Sequence, residues 1–380
     1  MLGGAVAVLL TGRISIPDAL RSINIDVMIF LFGMFIVGEA LVASGYLAVL
    51  AHRFLSRAAT PAHIILAILF GMGFFSALLM NDTLAIIGTP LVLTLALKYR
   101  ISPKLLLLSL AMAITTGSVM SPIGNPQNLL VALNSGMASP FVTFGICLLI
   151  PTILSLCTVY LILRLLYPAE FSLRTLEPGP VPGCRDMEAM PVQCSLAILL
   201  ILAGTNIMYS LVFGTTFIAL PLIALAAAAP VILFSPQRGT VIRHIDWSTL
   251  VFFAAMFILM ESVWQTGFFQ SFINGPALTP VPAILAASVI LSQFISNVPF
   301  VALFQPMIQQ AGGSTVQLMA LAAGSTIAGN LTLLGAASNV IIIQNAEKQG
   351  ETLTFFEFAR AGIPITLIQA GIYGIFLWFL

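Results

Sequence analysis

Charge is scarce in this chain: Asp, Glu, Lys and Arg together make up 7% of its 380 residues. An ordinary soluble domain carries about 25%. That shortage, beside 59% hydrophobic residues, excludes a water-soluble globule with a single core and assigns the chain to a bilayer. A formal net charge of +1 leaves no basic footprint for nucleic acid, and none is expected as a partner. Cysteine is confined to Cys147, Cys157, Cys184 and Cys194, without metal-ligand spacing, so neither a structural metal nor a disulfide framework is expected. His52, His63 and His244 sit near the edges of apolar segments. HExxH motifs and paired aspartates on neighbouring spans are missing too, so an intramembrane enzyme would lack its catalytic groups. No cofactor is expected. The opening MLGGAVAVLLTG lacks a basic n-region and a cleavage site, so it is not a cleavable signal. It offers only about ten apolar residues where a span needs about twenty. The first helix therefore looks truncated, with the native chain starting upstream or that helix half missing.

What is present is a run of apolar segments whose second half repeats the first. MFIVGEALVASGYL (Met34 to Leu47) matches MFILMESVWQTGFF (Met256 to Phe269), placing Glu39 on Glu261 and Gly45 on Gly267. FSALLMNDTLAIIGTP matches LSQFISNVPFVALFQP, placing Asn81 on Asn297. LAMAITTGSVMSPIGNPQN matches LAAGSTIAGNLTLLGAASN, placing Gly124 on Gly335 and Asn128 on Asn339. Interrupted apolar segments at corresponding positions of two halves point to a transporter's binding site. The length supplies roughly ten spans of about 20 residues. Spans are expected at Val27 to Leu50, Lys104 to Asn134 (broken), Phe141 to Leu163, Ser195 to Val212, Phe213 to Phe234, Trp247 to Phe268, Val316 to Ala346 (broken) and Phe355 to Leu380. His63 to Leu97 and Pro280 to Gln310 each join two apolar stretches at a polar midpoint. Both are expected to be hairpins that enter and leave on one side, since irregular backbone at membrane depth is tolerated only beside a cavity.

Charge placement orients these spans. With the loop Ala51 to Pro61 in the cytoplasm, all the Lys and Arg residues except Arg13 and Arg21 fall inside, as the positive-inside rule requires. Val27 to Leu50 then runs inward and its match Trp247 to Phe268 runs outward. The expectation is an all-α polytopic membrane protein of two inverted-topology repeats, each with a re-entrant helical hairpin and a broken transmembrane helix. Residues 1–168 form the first repeat, 169–190 a cytoplasmic connector and 191–380 the second repeat.

The polar residues gather at the two hairpin tips and the two helix breaks. Where a helix unwinds, freed carbonyls can coordinate a cation and the next half-helix can hold an anion at its N-terminus. In SPIGNPQN, Gly124 permits the unwound turn, while Ser121, Asn125, Gln127 and Asn128 offer neutral donors and acceptors. Their counterparts are Gly335, Ser338 and Asn339, with Asn81, Asp82, Thr83, Ser296 and Asn297 at the tips. These thirteen residues are the expected solute or ion ligands. A carboxylate at mid-bilayer costs about 2.5–3.5 kcal/mol on insertion scales, so Asp82, Glu39 and Glu261 are the proton-coupling candidates. Asp82 leads them, because its match is Val298, whereas Glu39 and Glu261 match each other and suit a shared structural duty.

MNDTLAIIGTPLVL (Met80 to Leu93) followed by TGSVMSPIGNPQNLL (Thr116 to Leu130) resembles the ion transporter superfamily over nearly the whole chain. That group contains arsenite and antimonite permeases, sodium/proton antiporters and divalent-anion symporters. In the divalent-anion branch, tips reading Ser-Asn-Thr help bind sodium and carboxylate. Here the tips read Asn81-Asp82-Thr83 and Ser296-Asn297-Val298. The acid after the asparagine resembles the arsenite permease branch and implies proton-linked handling of a small solute. The expected function is a secondary transporter, an arsenite or antimonite efflux permease exchanging protons by alternating access. The alternatives are a sodium/proton antiporter or a sodium-coupled dicarboxylate or inorganic-anion transporter. Opposed hairpins disfavour a channel. The expected partners are arsenite, antimonite or an anion, with H+ or Na+ as coupling ion, in the inner (plasma) membrane, with a homodimer left open.

Overall fold

The computed structural model describes residues 1–46, 49, 60–171, 186–268 and 280–380, and among these the chain is all-helical, with no strand. The loop after residue 50, with His52, Arg53 and Arg57, and most of the connector, with Arg174, Cys184 and Arg185, lie outside the described residues. Among the described residues, seven helices are long and apolar enough to cross a membrane: Ile25–Ser44, Pro61–Leu79, Asn81–Tyr99, Pro140–Leu166, Met190–Phe213, Trp247–Gln265 and Phe355–Trp378. Pro103–Ser118, Leu220–Phe234 and Val281–Ile295 are apolar but shorter. The helix Asp186–Phe213 starts ahead of residue 191, so the connector hands over to the second half inside a helix.

Matched helices begin and end alike. Asn24 and Asp246 are the N-caps of Ile25–Ser44 and Trp247–Gln265, accepting from the N–H groups of Val27 and Thr249. Past their ends, Gly45 and Gly267 take φ of 66° and 73°, the left-handed turn where glycine carries no steric penalty. Helix Ile25–Ser44 thus covers the expected span Val27 to Leu50 up to Ser44, and Leu47, Ala48 and Leu50 lie outside the described residues.

Phe213 to Phe234 is not one long span. Helix Leu220–Phe234 has 15 residues, and the chain before it folds over Asn206. The Asn206 Oδ1 accepts from the N–H groups of Phe217 and Ile218 at 2.9 Å each, and its Nδ2 donates to the Ile218 carbonyl at 2.7 Å. The amide thus replaces the backbone bonds that a longer helix would make. Asn206→Ala is expected to cost about 2–3 kcal/mol, because it strands three partners, read as a lowered Tm in detergent.

Matched elements pack crosswise. Leu220–Phe234 lies along Ile25–Ser44, as Leu2–Leu10 lies along Trp247–Gln265. Pro126–Asn134 packs on Asn297–Gln310, and Ala337–Glu347 packs on Asn81–Tyr99. At the centre, every residue from Leu105 to Ser118 and from Leu318 to Ile327 is buried, so these two helices are enclosed on all sides by other helices. The final helices of each half, Pro140–Leu166 and Phe355–Trp378, pack together, with the Thr152 and Tyr373 hydroxyls 2.7 Å apart. Both ends of the Pro61 to Tyr99 helix pair meet one segment: Pro61–Ala67 packs on Pro168–Phe171, and Ser102 donates its N–H to Glu170 Oε2 at 3.2 Å. Nearby, Lys104 pairs with Glu357.

Candidate functional site

Each helix pair changes direction at one residue. Met80, between Pro61–Leu79 and Asn81–Tyr99, has φ 66° and ψ 141°; Ser296, between Val281–Ile295 and Asn297–Gln310, has φ 75° and ψ 153°. Neither is glycine, and such a backbone costs of order 1–3 kcal/mol, so the surrounding packing must hold it. Part of the hold on the first tip is visible, since the Asn81 N–H donates to the Gly124 carbonyl at 3.0 Å. The tip is thereby tied to the break in the next helix.

That break is closed by its own side chains. The Asn128 Nδ2 lies within bonding distance of three freed carbonyls, Ser118 at 3.1 Å, Val119 at 3.2 Å and Ser121 at 3.0 Å. Its Oδ1 accepts from Thr326 Oγ1 of the other broken helix at 3.1 Å. Asn125 Oδ1 caps the second half-helix by accepting from the Asn128 N–H at 2.8 Å. Gly124 is required because a Cβ there would lie 2.4 Å from the Ser118 carbonyl oxygen. In the second break, the Asn339 Nδ2 donates to the Gly329 carbonyl at 2.7 Å. The asparagines therefore satisfy the orphaned backbone of two helix ends.

In front of the breaks lies a cavity of about 380 Å³. Its lining comes from both tips (Asn81, Asp82, Ser296, Asn297, Val298), from the starts of both second half-helices (Pro126, Gln127, Ala336, Ala337, Ile341) and from the start of Trp247–Gln265 (Asp246, Ser248, Thr249, Phe252, Phe253). Asn81 and Asn297 are buried, and their Oδ1 atoms have no hydrogen-bond partner among the described residues. A buried amide oxygen left unpaired is costly, and a bound donor would satisfy it. Two carboxylates, Asp82 and Asp246, share the cavity with amides and hydroxyls, and among the described residues no Lys, Arg or His lines it. Burial works to raise the Asp246 carboxyl, but hydrogen bonds from Ser248 and Thr249 outweigh it and hold the group below the usual carboxylate range.

Of the thirteen expected ligands, Asn81, Asp82, Gln127, Ser296 and Asn297 line the cavity. Thr83 instead packs under Gly38, where a Cβ would lie 2.7 Å from its Oγ1. Ser121, Gly124, Asn125, Asn128, Gly335, Ser338 and Asn339 are buried in the breaks behind it. Of the four matched asparagines, Asn81 and Asn297 line the cavity, while Asn128 and Asn339 bond the freed backbone of the breaks. Glu39 and Glu261 do not line it either; Glu261 accepts from Gln265 Nε2 at 3.0 Å. Asn128→Ala is expected to lower Tm by the equivalent of about 2–3 kcal/mol, having unpaired several backbone groups. Gln127→Ala should change transport with a smaller effect on Tm, and comparing melts with uptake rates checks both. Asp246, Ser248 and Thr249 are not among the residues the sequence singles out, where Trp247 simply opens an expected span. The signal was there, because the register that pairs Glu39 with Glu261 pairs Asn24 with Asp246.

A polytopic helical protein with a polar cavity between helix tips and helix starts has the build of a membrane transport protein, and its relatives are transporters, not enzymes. Comparison with known proteins narrows the class: residues 1–318 match the CitMHS family, described as citrate transporter, and the chain belongs to that family. A 46 kDa membrane protein of Mycobacterium leprae is 26% identical over 99% of this chain and 92% of its own length. The silicon efflux transporter LSI3 of Oryza sativa subsp. japonica is 26% identical over 97% of this chain and 90% of its own. Among solved structures, the YdaH transporter of Alcanivorax borkumensis superposes with a TM-score of 0.62 at 17% identity, covering 94% of this chain and 86% of that one.

Proposed function

We propose that this protein is a secondary transporter of two inverted-topology repeats that exports a small, neutral, hydroxylated inorganic acid, arsenous or antimonous acid, in exchange for protons. The cavity lining carries the reading. Asp82, Asp246, Asn81, Gln127, Ser248, Thr249 and Asn297 present carboxylates, amides and hydroxyls, with no cation among the described lining residues. A pyramidal or tetrahedral hydroxide can donate to the carboxylates and amide oxygens and accept from the amides, whereas a multiply charged anion would meet two like charges without an arginine clamp. The silicon efflux relative fits this chemistry, because silicic acid is also a neutral hydroxide near neutral pH.

Asp82 on the tip is the proton-coupling candidate. The joint contact of both ends of the Pro61 to Tyr99 pair with Pro168–Phe171 and Glu170 supports a re-entrant hairpin. The crosswise packing of matched helices supports the inverted repeat. In that topology the Asp246 end faces the cytoplasm, the state described is open inward, and the membrane is the inner (plasma) membrane. The oligomeric state, a homodimer included, is tested by cross-linking in the membrane. A sodium/proton antiporter is the second reading, favoured by the two carboxylates on one cavity. Uptake into everted vesicles decides: arsenite and antimonite should accumulate under a proton gradient, with citrate excluded and sodium without effect. Citrate uptake at a comparable rate would overturn the neutral-solute reading, and sodium-driven proton movement without arsenite would favour the second.

A further inference from the structure

On one side of the molecule a seam is closed. Helix Ile25–Ser44 packs on Pro126–Asn134, and across the seam the Asn24 Nδ2 donates to Asn134 Oδ1 at 2.8 Å. Asn24 does this while capping its own helix, its Oδ1 accepting from the Val27 N–H at 3.0 Å. On the other side the matching elements are Trp247–Gln265 and Ala337–Glu347. These do not pack closely; the cavity separates them, with Asp246 and Phe252 on one wall and Ala337 and Ile341 on the other.

Every partner in the closed seam has a counterpart in the open one. The register that sets Glu39 on Glu261 sets Asn24 on Asp246, and Asp246 is likewise an N-cap, its Oδ1 accepting from the Thr249 N–H at 2.9 Å. The register that sets Asn128 on Asn339 sets Asn134 on Asn345, on the last turn of Ala337–Glu347. Asn345 is half-buried, and its Oδ1 accepts from Lys348 Nζ at 3.3 Å, so the group it can offer across the cavity is its amide N–H₂, the reverse of the acceptor role Asn134 plays in the closed seam.

We propose that Asp246 and Asn345 are the two halves of an inner latch, the counterpart of the Asn24–Asn134 bond. The proposal rests on the alternating-access reading above. When the cavity closes on this side, the Asn345 amide donates to the Asp246 carboxylate, and Asn24 parts from Asn134. Inverted repeats exchange conformations, so a contact made by one half in one state is made by the matched residues of the other half in the opposite state. The inner bond has a carboxylate where the outer has an amide, which makes it a charge-assisted bond and the stronger of the two. Asp246 thereby holds two positions: exposed to the solute when the cavity is open, and covered by Asn345 when it is shut.

Cysteine pairs test this in a chain whose four native cysteines are replaced by serine. Asn24→Cys with Asn134→Cys and Asp246→Cys with Asn345→Cys are made separately and then together, in proteoliposomes. Each pair is expected to cross-link and to be released on reduction; for the outer pair, which lies outside the cavity, the link is expected also to lower transport at least about tenfold, because a locked gate removes the conformational step, and reduction to restore it. In the four-cysteine protein, peptide mass analysis should find one link or the other. Both links in the same molecule would overturn the latch. A separate Ile341→Cys protein reports cavity closure by its labelling with an impermeant maleimide. If that labelling falls on adding arsenite while the inner pair never links, alternation stands and the latch is wrong. If labelling stays constant and the inner pair never links, the alternating-access reading falls and takes the latch with it. Should Asp246→Cys fail to assemble, Ser248→Cys on the same wall replaces it, with a short bifunctional maleimide.

Discussion

Asp82→Asn is expected to lower transport about ten- to hundredfold, as follows from losing one charge-assisted hydrogen bond worth roughly 1.5–3 kcal/mol. Transport should also lose its dependence on pH. Asp82 is half-buried in the first turn of Asn81–Tyr99, at the tip that lines the cavity. Two carboxylates on one cavity repel, and a proton or a hydroxyl donor arriving between them relieves that repulsion. Asparagine keeps the shape and removes the charge. Among the described residues no hydrogen bond or ion pair holds the Asp82 side chain, so the fold should lose no more than the helix-dipole contribution of about 0.3–1 kcal/mol. Initial rates across a pH series, set beside a thermal melt, make the comparison. A well-folded variant with an unchanged rate and profile would remove Asp82 from the coupling.

Gly117→Ala is expected to destabilise the protein by about 3 kcal/mol or more, at the top of the overpacking range. A Cβ at Gly117 would stand 2.2 Å from the Gly73 carbonyl oxygen and 2.3 Å from its Cα. Only backbone is there, so no side chain can rotate away. The contact presses the arm Gly73–Leu79 against the buried helix Pro103–Ser118, the close approach that small residues permit between helices in a membrane. Gly145→Ala is the control, since nothing lies within 4 Å of its Cβ position, and it should melt with the wild type or slightly above it. Equal melting of Gly117→Ala and wild type would mean that the helices are not held so closely. If the hairpin arm and the broken helix move as one body during transport, this contact couples them.

The elements easiest to find in the sequence were those marked by long apolar runs or by the internal repeat. Long apolar runs set the helices, and Gly45 and Gly267 marked matched helix ends. The tip asparagines were legible because the repeat aligned them at polar joints between apolar stretches. The roles of Asn128 and Asn339 were not legible. Both were polar, buried and matched, as a ligand would be, yet each spends its amide on the carbonyls of a broken helix. A pattern of residue types cannot say whether a donor faces a solute or a stranded carbonyl, because both need the same group.

The sequence by itself determined that this chain lives in a bilayer, that its halves correspond, and which short segments could not remain ordinary helix. Those facts depend on transfer free energy and local backbone chemistry, which add up along the chain. The tertiary structure decided which polar residues share a cavity, that Asp246 stands in it beside Asp82, and that Asn24 bonds Asn134 while the matched Asp246 lines the cavity. Those depend on how helices far apart in sequence pack, and in particular on asymmetry between two matched halves. A sequence specifies both seams alike, and only the packing of one state distinguishes them.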